Sequence, residues 1–318
     1  MLKADPSCLL GPVLSEASSA PGFAPADPIP EAVARVFGAD AFNALVCDPN
    51  FPAAMRAAAA YGVRNYDGNW LRNRLLNDRG RFLAALMILD LHFTEGGGAG
   101  VTGARLRREV SAYGVCSEGR ITAFLAGLRF AKFLTLRTSA DQRERRLVPT
   151  PAFLDTHRER WRGMFSAIAL MRPQQAARAI ALPDALLFGP CIHAMVTCFR
   201  QGFRVFDVSP TLRPYAERDA GLTMLVSLLA ASDQDEAISV SQFSTQFLIS
   251  RAHVSAVMRQ AEADGLARGG GPRGGYRAGP RLEQALTCFY GSVFLTFLKA
   301  LEAAESATEG SVRPAGST

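Results

Sequence analysis

Apolar positions along this chain recur mostly at steps of three and four residues, the spacing of helices that bury one face. The clearest run begins at Ser239, an N-cap residue type followed by Val240, Phe243 and Phe247 at helical spacing. A break at Leu248-Ile249 follows, and Ser250 caps a second helix with Val254, Val257, Met258 and Ala261 on one face. At 100° per residue Ala252, Ser255, Ala256 and Arg259 fall on the opposite face, with Arg251 at its edge. Gly265 ends this helix. Leu266-Ala267-Arg268 then reads as a strand, GGGPRGG as a tight basic loop and Tyr276-Arg277-Ala278 as the returning strand.

The same order occurs earlier. Arg79 to Phe93 reads as an amphipathic helix ended by Gly96-Gly97-Gly98, and Thr102 caps a helix carrying Leu106 and Val110. Tyr113-Gly114-Val115 makes a turn, and Ser117 caps a helix that buries Ile121, Phe124, Leu125 and Leu128. Leu134 to Arg137 and Arg145 to Val148 pair as strands, and Pro151 opens a helix to about Met171. Ser117 to Ile121 aligns with Ser250 to Val254 and Phe133 with Leu266 without a gap, and Leu83 to Leu86 corresponds to Leu222 to Leu225. One supersecondary block repeated whole is the mark of an internal duplication.

Elsewhere, short helices are expected at Glu31 to Phe37, Asp40 to Val46 and Pro52 to Tyr61, with a turn at Asp67-Gly68. Arg172 to Pro183 is a helix or linker, and Gly189-Pro190 starts an apolar helix, Cys191 to Phe203. Val205 to Val208 is a short strand or connector. Pro280 to Glu305 is a long helix with Leu282, Leu286, Phe289, Val293, Phe297 and Leu301 along one side. The expected fold is mainly α with small β-hairpin wings, as two tandem winged helix-turn-helix domains. The first covers 31–171 and the second 172–305, between flexible tails at 1–30 and 306–318.

The phrase ISRAHVSAVMRQAEADGLARG, with its following hairpin, resembles the MarR-type winged helix-turn-helix transcription regulators. The resemblance implies a dimer-like pair of units reading two half-sites of double-stranded DNA. Here both units would sit in one chain, as a monomeric pseudo-dimer or a further homodimer. It also implies a small-molecule effector held near Cys191 to Phe206 with Trp70 and Trp161.

Taken with that resemblance, the second unit offers Ser250, Arg251, His253, Ser255 and Arg259 to base edges, with Arg273 and Arg277 on its hairpin. The first offers Ser117, Glu118, Arg120 and Thr122, and its hairpin carries Arg137, Arg143, Arg145 and Arg146 for phosphate. The second unit is expected to read sequence and the first to grip backbone.

The chain of 318 residues is 48% hydrophobic and 20% charged with a formal net charge of +6, a folded composition suited to a polyanionic partner. Lys3, Lys132 and Lys299 are its only lysines, a bias that a GC-rich genome also produces. Six cysteines show no metal-ligand spacing and read as core residues of a reducing compartment, and Met1 to Pro30 has no apolar signal region. The longest uncharged apolar run, Ala185 to Phe199, is too short to span a bilayer. A cytoplasmic, nucleoid-associated protein without membrane, metal or cofactor is the expectation.

No GxSxG, P-loop, HExxH or strand-borne GxGxxG is present, and His92, His157 and His193 read as isolated, so no enzyme is expected. Two other readings stay open. One is a winged-helix protein-interaction module. The other is a metabolite sensor with weak or no DNA readout.

Overall fold

A computed structural model describes residues 30–66, 75–76, 79–94, 100–114, 116–138, 145–205, 208–234, 236–269 and 274–312. The predicted turn at Asp67-Gly68, Trp70, the glycines 96–98, Arg143, Arg273 and the N-terminal tail lie outside the described residues. The fold is mainly helical with two small antiparallel sheets.

Three helices open the chain: α1 (Glu31–Phe37), α2 (Ala39–Val46) and α3 (Phe51–Tyr66). Then come α4 (Arg79–Thr94), β1 (Val101–Thr102), α5 (Gly103–Ala112), α6 (Glu118–Phe130), β2 (Leu134–Thr138), β3 (Arg145–Pro149) and α7 (Pro151–Ile168). Two helices connect, α8 (Pro173–Ala181) and α9 (Asp184–Arg200), followed by the single turn α10 (Arg213–Ala216). The order then repeats as α11 (Gly221–Ala230), β4 (Ile238–Ser239), α12 (Val240–Phe247), α13 (Arg251–Ala263), β5 (Ala267–Gly269), β6 (Gly275–Ala278) and α14 (Leu282–Val312).

The two sheets have the same topology. In each, the returning hairpin strand is central, with order β1-β3-β2 in one and β4-β6-β5 in the other. The outer pair is Val101↔Leu147 in the first and Ile238↔Tyr276 in the second. Strands β1 and β4 were not expected from the sequence, because two residues carry no alternation to recognise. Leu266, expected in the hairpin, precedes β5 and is fully buried.

The helix ends repeat too. Ser239 closes a capping box with Gln242, and Thr102 accepts from the Arg105 amide at the matching place. Both α6 and α13 end in a Schellman turn. Phe133 N–H donates to the Leu128 carbonyl and Leu266 N–H to that of Ala261, each at 2.8 Å. The left-handed residue of this turn is Gly265 (φ 74°) in one half and Lys132 (φ 57°) in the other.

Both halves share one apolar core. Helix α3 packs against both α7 and α11, while α9 packs along α4 and α14. A division at 171/172 therefore follows chain order, while the packing interlaces across it. Gly163 lets α3 approach α7, since a Cβ there would run into the Tyr61 ring. Gly291 does the same for α2 on α14, where a Cβ would meet Phe42 and Val46 at 2.8–2.9 Å.

Expectations for three helices are corrected. Helix α4 is not amphipathic: Leu83 to His92 are all buried, because the repeat places it at the centre of its half. Helix α9 begins at Asp184 with Pro190 inside it, so Gly189-Pro190 is not its start; the flanking hydrogen bonds hold it past the missing donor. Helix α14 runs to Val312, through residues expected in the tail. Its inward side includes Tyr290 and Phe294, while Phe289 and Val293 are only half-buried. Within α14, Leu282–Ala307 is long and apolar enough to cross a membrane by length and composition, and 61% of the qualifying window is buried in the fold. Val205 and Val208 are described outside any strand, which leaves the connector reading, and Phe206 and Asp207 between them lie outside the described residues.

Candidate nucleic-acid interface

The outward face of α13 is built by what its inward face buries. Val254, Val257, Met258 and Ala261 are fully buried against α12 and β5, each contributing on the order of 1–3 kcal/mol. That fixes the rotation of the helix. Arg251, Ala252, Ala256 and Arg259 are exposed, and Ser255 is half-buried beside them. Ser250 acts as the N-cap, its hydroxyl accepting from the His253 amide at 3.2 Å. Arg251 reaches back to the Ser241 hydroxyl at 3.2 Å.

His253 sits differently from expectation. Its Nε2 lies 2.9 Å from the Asp219 carbonyl oxygen, so the ring is turned onto the protein. Asp219 in turn holds Arg81 of α4 at 2.9 Å.

In the first half, Ser117, Glu118, Gly119, Arg120, Thr122, Ala123 and Ala126 are exposed on α6. Ser117 holds the N-cap position, but its hydroxyl makes no cap bond. The Thr122 hydroxyl donates to the Glu118 carbonyl at 2.9 Å, which ties it to its own helix. This face ends on Phe130, 83% exposed, and Leu136 on β2 is 41% exposed.

The hairpins repeat one unusual feature. Arg137 pairs directly with Arg146 across β2–β3, and Arg268 with Arg277 across β5–β6. Like charges directly opposite each other destabilise a sheet. Part of the tension is relieved inside the protein. Arg146 donates to the Gly100 carbonyl at 3.3 Å, and Arg268 Nε donates to the Ala278 carbonyl at 3.0 Å. Arg137 and Arg145 are exposed on the first hairpin, while Arg146 and Arg277 are half-buried. The Arg145–Arg146 pair read from sequence is therefore split, and the outward pair is Arg137 and Arg145. Arg268 was missed, since only the register, unknown before the loop is built, sets it opposite Arg277.

Both ends of α13 are held by one short segment. Tyr215, fully buried on α10, donates its hydroxyl to the Asp264 carboxylate at 2.5 Å, at the C-terminal end of α13. The Asp219 carbonyl holds His253 at the other end. Burial, followed by the Asp264 hydrogen bond, pushes the Tyr215 phenol well above its ordinary range. Ala220, next in line, takes a left-handed conformation with φ 56°.

Behind this segment lies a cavity of about 260 Å³ between the two halves. Its walls are chiefly apolar and aromatic, from α3, α4, α7, α9, α11 and α14, and include the expected Trp161. Trp161 packs on Phe297 with ring centroids 4.3 Å apart. Cys191 is buried with its Sγ 3.4 Å from the Ala300 carbonyl, and burial raises the Cys191 and Cys198 thiols.

His193 is not isolated. Its Nδ1 lies 2.8 Å from Oδ1 of Asp90, which is fully buried on α4. Arg200 Nη2 is 2.8 Å from both Asp90 Oδ2 and Glu109 Oε1, and Arg105 meets Glu109 at 2.7 Å. Local sequence carries no sign of this cluster, whose members come from α4, α5 and α9. Among the described residues no three His, Cys, Asp or Glu side chains converge as metal ligands. Comparison with family models, curated proteins and solved structures found no match.

Proposed function

We propose that this protein is a sequence-specific, double-stranded-DNA-binding regulator whose two winged helix-turn-helix units act as an intrachain pseudo-dimer. The observation that carries the reading is the repeated hairpin with a cross-strand arginine pair, set directly after a helix whose outward face is small and polar. A hairpin keeps opposed like charges at a cost to folding, and a polyanion would offset that cost by lying between them. Ala252, Ser255 and Ala256 leave room for α13 to approach base edges, with Arg251 and Arg259 flanking them.

The halves differ in task. The α13 face reads sequence. The α6 face, with Thr122 bonded to its own helix, contributes through Arg137 and Arg145 on its hairpin. A site for such a chain has unlike half-sites, and the protein works in the cytoplasm on the nucleoid without a cofactor. In binding selections from a random duplex pool, Arg259→Ala relaxes sequence preference. Arg137→Ala with Arg145→Ala weakens binding to every sequence and lowers the salt slope by about 2. Equal loss of preference in both variants would overturn the division.

A second reading has its own support. Phe130 and Leu136, both exposed beside the α6 face, suit a protein partner for the first unit. Loss of partner capture with intact DNA binding in Phe130→Ser would favour it.

A further inference from the structure

His193 is the one exposed histidine among the four in the chain. His92 and His157 are buried, and His253 is half-buried with its Nε2 turned onto the Asp219 carbonyl. The His193 side chain is 52% exposed on α9, and its Nδ1 lies 2.8 Å from Oδ1 of Asp90. Among the described residues Nε2 has no hydrogen-bond partner.

The buried partner sets the chemistry of the ring. Asp90 is fully buried on α4, and its other oxygen lies 2.8 Å from Arg200 Nη2, so the carboxylate is pinned from two sides. His193 and Arg200 stand about two turns apart on one face of α9, which is how both reach it. Arg200 also faces Glu109 at 2.8 Å, so its charge is shared and does not cancel Asp90 alone. A carboxylate oxygen only accepts, so the hydrogen of the Asp90–His193 contact sits on Nδ1. The ring lone pair able to attack is then the one on Nε2, at the surface. A carboxylate behind an imidazole fixes its orientation and stabilises the positive charge that develops as the far nitrogen forms a bond.

An imidazole held in this way can act as metal ligand, general base or nucleophile. A metal ligand needs companions, and among the described residues no three His, Cys, Asp or Glu side chains converge. A general base needs a substrate held within hydrogen-bond reach, and His193 does not line the cavity between the halves. A nucleophile needs an oriented lone pair open to a reactant, and the His193–Asp90 geometry supplies that.

We propose that Nε2 of His193 is a phosphoryl-acceptor site, loaded from a donor with a labile P–N bond, such as phosphoramidate or the phosphohistidine of another protein, and that Asp90 is its positioning residue. The Nε2 lone pair forms the new bond to phosphorus while the donor's P–N bond breaks. The departing nitrogen keeps the electron pair of that bond. From phosphoramidate, whose nitrogen already carries three hydrogens, it leaves as ammonia. The Nδ1 hydrogen stays directed at Asp90, so no other proton moves and nothing is oxidised or reduced. The transferred group places about two negative charges where α9 meets α4. The site is independent of the DNA reading, and its test contains no DNA.

The full-length chain is incubated with potassium phosphoramidate, and uptake is followed by intact mass and phosphorus NMR. One phosphoryl group per chain is expected, on Nε2 of His193, and none in His193→Gln. Stabilisation on the scale of one charge-assisted hydrogen bond should make the reaction about tenfold faster than in an unstructured peptide of residues 188–198. Asp90→Asn keeps an acceptor oxygen but removes the charge, and its rate should fall to that of the peptide. Circular dichroism checks that this variant is folded; if it is not, the comparison of wild type with peptide decides. Phosphorylation at Nδ1, spread over several histidines, or no faster than in the peptide overturns the acceptor site. A wild-type rate in folded Asp90→Asn overturns the role of Asp90.

Discussion

Asp90 gives the sharpest stability prediction. It is fully buried, and its two oxygens face His193 Nδ1 and Arg200 Nη2, each at 2.8 Å. Arg200 also bonds Glu109, which is bound to Arg105, so two carboxylates face two guanidinium groups. Asp90→Ala leaves that cluster with one uncompensated positive charge. Breaking a buried pair costs about 3–5 kcal/mol. Arg200 retains Glu109, and its side chain is 25% exposed, so water screens part of the loss and the lower end, about 3 kcal/mol, applies. Against a typical total stability of about 5–15 kcal/mol this is large, and it corresponds to a fall in melting temperature of roughly 6 °C for a chain of this size. The double variant Asp90→Leu/Arg200→Met, which removes both charges and leaves the Glu109–Arg105 pair, should recover most of it. Urea unfolding followed by circular dichroism measures both. A loss below about 1 kcal/mol for Asp90→Ala, or no recovery in the double variant, would refute the view that this cluster locks α4, α5 and α9 together.

Two further predictions follow from the repeat and from burial. Lys132 occupies the left-handed position that Gly265 fills in the other half, so Lys132→Gly should stabilise by about 0.5–1 kcal/mol. Gly265→Lys should destabilise by more than that gain, since its Cβ would also press on Arg281 Cδ at 3.1 Å; thermal melts decide the signs. His92 is buried, no described residue hydrogen-bonds its Nδ1, and burial lowers its pKa from the ordinary 6.5. The unfolded chain therefore takes up the proton first. The contribution is complete above about pH 6.5 and is lost as pH falls from there toward the lowered folded value. Urea midpoints at pH 7.5 and 5.5 should separate more for the wild type than for His92→Gln, and equal separations would contradict the assignment.

Much of the second unit was legible because its signals are local. Ser239 with Gln242, the Val254–Val257–Met258–Ala261 face and Gly265 lie within one or two helical turns of the groups they organise. The element order of the first half was legible by its repetition of that block. The unread parts depend on distance. Helix α4 is buried on every side, so periodicity gives it no preferred face. Strands β1 and β4 exist only because β3 and β6 lie beside them. His193 looked isolated because its partner Asp90 lies far away in the chain, and the same holds for Tyr215 and Asp264. For the candidate binding residues the sequence carries no sign of direction: His253 and Arg146 turn inward onto carbonyl groups, while Arg137 and Arg259 stay outside.

The salt dependence of binding to a mixed-sequence duplex tests the central claim most directly. Arg137, Arg145, Arg251, Arg259 and Arg268 are all exposed on the two proposed faces, and a duplex held there would have about four to five phosphates neutralised if each arginine lies within reach of one. The logarithm of affinity should then fall against the logarithm of salt concentration with a slope of roughly −4. No binding at low salt, or a slope near zero, would contradict the account.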